Sequence, residues 1–220
     1  MKREYAVIGL GRFGGSICEE LSNEGMKVLA IDVSDQRINE FKNIASHVVV
    51  ADSTDEIALK ELGVKNIDHV IVAIGDDIQA SILTTVILSE MGVQRITVKA
   101  QNDYHEKILN KIGADHVIHP ERDMGIRIAH SLISSNILDY LELSDDHSMV
   151  EVKVGKKMLG RTLIELNIRA RYGCNVVAIR HEKDMNVSPK AEYALQEDDI
   201  LIVIGADKDI SRFEKQLVID

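Results

Sequence analysis

Along the chain, apolar residues cluster in short runs separated by stretches of helical spacing. "YAVIG", "KVLAID", "HVVVA", "HVIVAI", "RITVKA" and "HVIH" have strand length and are apolar nearly throughout. Such runs suit a parallel sheet buried on both faces, whereas a half-exposed strand alternates. Between them the pattern predicts helices over 12–24, after Ser34, near 55–62, over 77–91 and around 104–112. Ser34 stands where an N-cap is needed, just before "DQRINEFKNI". This alternation predicts a doubly wound, Rossmann-like α/β domain over residues 1–120.

From 121 to 143 the spacing predicts one long helix. Its apolar residues, among them Met124, Ile128, Leu132, Ile133, Leu138 and Leu141, cover more than one face. A sheet covers only one stripe of a helix. The excess fits either a dimerising crossover helix or a helix fully buried in a monomer. The polar "LSDDHS" marks a boundary near Asp145, and residues 146–220 form a second region. There "MVEVKV" alternates as a half-buried strand, "TLIELNI" is helical, "NVVAIR", "NVS" and "DDILIVIG" are strands, and "DKDISRFEKQL" is a final helix. These about 75 residues make a small α+β lobe.

The totals narrow the function. The chain has 220 residues and a formal net charge of −10, with no tryptophan. An acidic chain poor in aromatics lacks the basic face and stacking platform that nucleic-acid binding requires. No apolar leader precedes the first strand, and "VIVAI" and "ILIVI" are far too short to span a bilayer. Cys18 and Cys174 lie far apart without a Cys-x-x-Cys spacing, as expected of free thiols in a reducing cytoplasm. A membrane role therefore calls for a partner.

Candidate chemistry gathers at the first strand–helix turn, "VIGLGRFGGS". Gly9 suits the tight turn, Gly11 lets backbone approach a diphosphate, and Gly14 lets helix pack on strand. Asp32 ends the second strand, 18 residues after Gly14, where a carboxylate binds ribose hydroxyls and disfavours a 2′-phosphate. Ala51, Asp52, Ser53, Ile74 and Gly75 end the third and fourth strands and should line the crevice at the sheet's carboxyl edge. Asp52 either meets an adenine amino group or, with Ser53, caps the next helix. Lys99 closes the fifth strand, where it either touches phosphate or is a solvated end residue. His116 and His119 are three apart on a strand, so they face opposite ways and make no metal pair. No Ser-His-Asp or Cys-His arrangement or His-Glu-x-x-His is legible. A nicotinamide dehydrogenase needs a substrate domain with a positioned acid or base. The small second lobe offers neither, so the site reads as a sensor rather than an enzyme. A small NAD(H)-dependent oxidoreductase or redox sensor is the alternative.

"VIGLGRFGGSI", "ADSTDE", "DHVIVAIGDDIQASILTT", "VKAQNDYHEKILNKIGADHVIHPERDMG" and "NILDYLEL" resemble the cytosolic regulatory subunits of bacterial Ktr/Trk-type potassium uptake systems, the RCK or KTN family. "GRTLIELNIRARYGCNVVAI" and "DDILIVIG" resemble that family's C-terminal lobe. The resemblance implies dimers assembled into an octameric ring. The ring would sit peripherally beneath a membrane potassium transporter and gate it, with ATP activating and ADP inhibiting. It implies a nucleotide site of Gly9, Gly11, Arg12, Phe13, Gly14, Asp32, Asp52, Ser53, Ile74, Lys99 and Glu121. It also implies a cyclic di-AMP site of Ile168, Arg169, Asn175, Val176 and Pro189 across a dimer interface, with Ile168 and Val176 facing the bases. Within that frame Arg12 is a rigid cation suited to a terminal phosphate. Phe13 packs the loop. Glu121 beside a triphosphate would be repelled unless Mg²⁺ or Ca²⁺ joined the two.

Overall fold

The computed structural model describes residues 3–133, 136–144 and 146–218. Two compact units divide the chain, Met1–Pro120 and Glu121–Asp220.

The first unit is built on six strands, β1 (Glu4–Ile8), β2 (Lys27–Asp32), β3 (His47–Val50), β4 (His69–Val72), β5 (Ile96–Lys99) and β6 (His116–Ile118). All pair in parallel, in the order β3-β2-β1-β4-β5-β6. This is the doubly wound Rossmann order, which puts the switch point between β1 and β4. Five helices connect the strands: α1 (Arg12–Asn23), α2 (Asp35–Phe41), α3 (Glu56–Glu61), α4 (Ile78–Glu90) and α5 (Asp103–Lys111). Successive strand residues point to opposite faces. Ala6, Ile8, Val70, Val72, Ile96 and Val98 face Leu59, Leu88 and Leu109 of α3, α4 and α5. Val7, Val28, Ala30 and Ile71 face Cys18 of α1 and Ile38 and Phe41 of α2. Both faces are thus covered, which is why the strands read as unbroken apolar runs. The helix starts are set locally. Ser34 caps α2 by accepting from the Arg37 N–H, and Asp55, Asp77 and Asn102 cap α3, α4 and α5 in the same way.

The second unit opens with α6 (Pro120–Ile133). The long helix expected over 121–143 is corrected here: Ile137–Ser144 is a strand, β7. It pairs antiparallel with β8 (His147–Lys153), Ile137 opposite Val152 and Tyr140 opposite Val150. The run "ILDYLELS" is compatible with either period. A partner strand a few residues later decides for the sheet, and a local pattern cannot register that partner. The boundary near Asp145 falls on a residue outside those described, and the strands flanking it pair with each other.

The sheet is completed by β9 (Asn175–His181), β10 (Asp184–Asn186) and β11 (Ile200–Ala206), in the order β10-β9-β11-β8-β7. The strand expected over "NVS" is β10, displaced toward the N-terminus by a tight hairpin. The segment "TLIELNI" makes two short helices, α7 (Leu163–Leu166) and α8 (Ile168–Tyr172). Asn167, at φ +43°, breaks them apart. α9 (Asp207–Phe213) runs on into a π-helical turn over Glu214–Val218. Val150, Val152, Leu166, Ile168, Tyr172, Leu201 and Phe213 share this unit's core. No described helix is long and apolar enough to cross a membrane.

Candidate nucleotide site

Three glycines shape the turn between β1 and α1, each for a different steric reason. Gly9 takes φ +92°, and a Cβ there would stand 2.9 Å from the Ala73 carbonyl oxygen. Gly14 is tighter: its Cβ would lie 1.9 Å from the Gly9 carbonyl oxygen, so α1 packs directly against its own entry strand. Gly11 differs from both, because a Cβ there would meet nothing within 4 Å. It is the N-cap of α1 with no side-chain cap, and its space is open toward whatever approaches the helix N-terminus. Gly15 adds a constraint that spacing alone does not reveal. Its Cβ would lie 2.8 Å from the Phe41 ring, so α1 also sits close against α2.

Asp32 is 4% exposed. Its Oδ2 accepts from the Leu10 N–H at 2.7 Å and from the Arg37 guanidinium at 3.3 Å, and its Oδ1 accepts from the Ser34 N–H at 2.8 Å. A carboxylate accepts about four bonds. Three are met within the fold, fixing the group's orientation and leaving Oδ1 capacity for a hydroxyl. Leu10, Gly11, Arg12, Ser16, Asp32, Val33, Arg37 and Phe41 help line a cavity of about 820 Å³, within the range of small-molecule sites. Arg12, first residue of α1, is exposed at its mouth and has no ion-pair partner among the described residues.

The ends of β4 and β5 converge nearby in sequence order. The Lys99 ammonium lies 5.9 Å from the centre of the Phe13 ring and 3.5 Å from where a Gly75 Cβ would be. The Gln101 side chain donates to the Gly75 carbonyl, tying the two strand ends together. Phe13 is half-buried against this cation, and Ile74 is half-buried and packs against the core.

Asp52 and Ser53 part ways. Asp55, not either of them, caps α3. Asp52 is exposed and accepts from the Thr54 N–H and hydroxyl at 2.9 and 2.7 Å, bonds that hold its carboxyl below the usual range. Ser53 is 5% exposed and shares a 2.8 Å hydrogen bond with Thr84 of α4, so its hydroxyl is spent inside the fold. Glu121 stands in the first turn of α6, in the second unit.

In the second unit, Arg169 and Asn175 are exposed and Val176 and Pro189 are half-buried. Ile168 is 4% exposed within the lobe core, which corrects the expectation that its side chain faces a ligand base.

The spacing of glycines and acids could not disclose Arg37 on Asp32 or Gln101 on Gly75, since each joins separate elements. A third group missed in this way is Asp103, Glu106 and His119, whose potential ligand atoms lie within 4.8 Å of one another. His116 is not part of this group.

Comparison with known proteins accounts for the pairing of this cradle with a small second lobe. The family model described as the TrkA-N domain matches residues 5–120, and the TrkA-C domain matches 148–218. The chain is 62% identical over 218 residues to Ktr system potassium uptake protein C of Bacillus subtilis (strain 168), covering 99% of each chain. It is 50% identical over 214 residues to Ktr system potassium uptake protein A of the same organism, covering 97% of this chain and 96% of that one. The crystal structure of the GsuK RCK domain matches with a TM-score of 0.69 at 16% identity, over 100% of this chain and 48% of that longer one, which shows a shared fold. With a TrkA-N unit, a TrkA-C lobe and whole-length identity to Ktr proteins, the chain belongs to the RCK family of Ktr/Trk potassium-uptake regulatory subunits.

Proposed function

We propose that this chain is the nucleotide-sensing subunit of a membrane potassium transporter, activated by ATP and inhibited by ADP. The observation that carries the reading is Gly11 and Arg12 together. The helix start is sterically open, and a permanent cation with no ion-pair partner among the described residues stands beside it. Backbone N–H groups suffice for a diphosphate, whereas a third phosphate adds charge that an arginine fork can meet. Asp32 takes the ribose, Lys99 and Phe13 border the phosphates, and Asp52, Ile74 and the backbone at Ser53 border the base. Glu121 joins through Mg²⁺ or Ca²⁺ held by the triphosphate.

The exposed apolar side chains of α6 and β7 support a homodimer, and dimers of this kind build the octameric ring. The ring acts in the cytoplasm, peripherally at the inner face of the membrane, on an integral transporter subunit. In the second unit, Arg169, Asn175, Val176, Pro189 and the backbone at Ile168 take cyclic di-AMP across the dimer axis.

Identification of the nucleotide retained through purification, together with ATP and ADP titrations of wild type and Arg12→Ala, tests this. Loss of one charge-assisted contact weakens ATP by roughly 1.5–3 kcal/mol, about one to two decades, and leaves ADP nearly unchanged. Equal ATP and ADP affinities in both proteins, or retained NAD(H), would overturn it.

A further inference from the structure

The first turn of α5 carries two acids, Asp103 and Glu106. Neither is needed as the cap, because the Asn102 side chain already accepts from the His105 N–H at 3.0 Å. His119, the residue after β6, turns inward and is 5% exposed. Its Nε2 lies 2.9 Å from Glu106 Oε2. A carboxylate oxygen of Asp103 completes a triangle in which every pair of potential ligand atoms is within 4.8 Å. Two acids on a helix start are ordinary dipole partners. A buried imidazole brought to them from another element is not explained by the dipole.

A second buried imidazole lies on the same turn. His105 is 1% exposed. Its Nδ1 accepts from the Gln101 N–H, which puts its proton on Nε2. That Nε2 has no hydrogen-bond partner among the described residues. A buried N–H without an acceptor is costly, so this turn carries an unmet polar group.

We propose that Asp103, Glu106 and His119 form a binding site for a divalent transition-metal ion of the zinc class. One imidazole nitrogen with two carboxylates is a mixed N/O set suited to Zn²⁺ or Co²⁺, whereas Mg²⁺ and Ca²⁺ favour oxygen alone. Ligand bonds of about 2.1 Å around a tetrahedral ion set ligand atoms about 3.4 Å apart. Glu106 Oε2 and His119 Nε2, 2.9 Å apart, lie just inside that spacing, and every other pair falls within 4.8 Å. Binding replaces the Glu106–His119 hydrogen bond with two bonds to the ion, and His119 binds through a neutral ring with its proton on Nδ1. The fourth position is left to water. His119 directly precedes Pro120, the first residue of α6, so the ion secures the point where the chain leaves the first unit.

The site uses none of the cradle residues, so it is tested on the nucleotide-free, chelator-treated full chain. Zn²⁺ is titrated calorimetrically and Co²⁺ by its visible absorption. One equivalent per chain is expected to bind saturably, with no comparable binding of Mg²⁺ or Ca²⁺. Asp103→Asn and Glu106→Gln change exposed or half-exposed groups, and their metal-free melting temperatures serve as the check on folding. Each is expected to weaken Zn²⁺ by at least about tenfold, since even outer partners of a metal ligand are worth about 10- to 100-fold. Glu121→Gln is expected to leave Zn²⁺ binding unchanged, which separates this site from any ion held by a triphosphate. No saturable Zn²⁺ binding in the wild type, or equal affinity in both variants, would overturn the proposal.

Discussion

Helices α1 and α6 both leave a strand of the first sheet and are of similar length, yet they use their side chains in opposite ways. α1 spends its inner face on its own unit, burying Gly14, Gly15 and Cys18. α6 buries none of its residues. Leu132 and Ile133 are 79% and 84% exposed, and Met124, Ile126 and Ile128 are exposed as well. Leu138, Leu141 and Leu143 of β7 extend the same apolar character. A contact met inside the chain holds the fold, whereas one left unmet is free to serve the proposed homodimer. The cradle repeats the contrast on a smaller scale. Gly14 is closed in by backbone, and Gly11, three residues earlier, faces open space.

The largest effect on the stability of the fold should come from breaking that small-scale contrast. Gly14→Ala forces a methyl to within 1.9 Å of the Gly9 carbonyl, with no flexible side chain to yield. Overpacking costs about 1–3 kcal/mol when neighbours can shift, and a rigid backbone neighbour pushes it to the upper end or beyond. Gly11→Ala meets no atom within 4 Å, so its melting temperature should stay near that of wild type while nucleotide affinity falls. Thermal melts and nucleotide titrations of the two variants give the answer. Equal destabilisation of both would mean that Gly11 is structural and not a ligand contact.

Ile133→Asp on α6 acts on assembly and not on the fold. An unpaired charge in a dimer contact costs several kcal/mol, on the order of 2–7 for unmatched polar groups. At 84% exposure the same charge in an isolated subunit is nearly free, within about 0.5 kcal/mol. Light scattering at low micromolar concentration should therefore show smaller species whose circular dichroism is intact. An unchanged oligomer would place the interface elsewhere.

The contrast between met and unmet contacts also marks what could be read from sequence. The parallel sheet, the glycine turn and the Ser34 cap were legible because each is set by neighbours within a few residues. Gly9 and Gly14 shape the turn as their spacing implied, and Asp32 is held at the end of β2 by the Leu10 N–H. β7 was not legible, because its choice of strand over helix depends on pairing with β8. The Ser53–Thr84 bond and the Arg37–Asp32 and Glu106–His119 pairs were hidden for the same reason, as each spans two elements. Ile168 misled in another way. Its apolar character fits a ligand face or a core equally well, and the packing of the second unit chose the core.

The two thiols sharpen the comparison through pH. Burial raises Cys18 and Cys174 from the ordinary value of 9.0 to about 11. Below about pH 9 both stay protonated whether folded or unfolded, and they add nothing to the pH dependence of stability. As pH rises from 9 toward 11, the unfolded thiols ionise while the folded ones resist, so the folded state loses stability. Native protein at pH 8 should react with a disulfide reagent only as fast as it opens, and at once after denaturation. Rapid labelling of the native chain would revive a redox role.

The smallest effect decides on which side of the contrast Ser53 falls. Its position at the end of β3 makes it a crevice residue by topology, but its hydroxyl is bonded to Thr84 in the interior. If that bond is its whole role, Ser53→Ala removes one buried hydrogen bond and strands the Thr84 hydroxyl. The cost is about 1–2 kcal/mol of stability. Thr84→Ala should cost a similar amount, and the double variant less than the sum, because the two share one interaction. Nucleotide affinity should be unchanged in all three. A tenfold loss of ATP affinity in Ser53→Ala, about 1.4 kcal/mol, with Thr84→Ala unaffected, would instead make the hydroxyl a ligand contact.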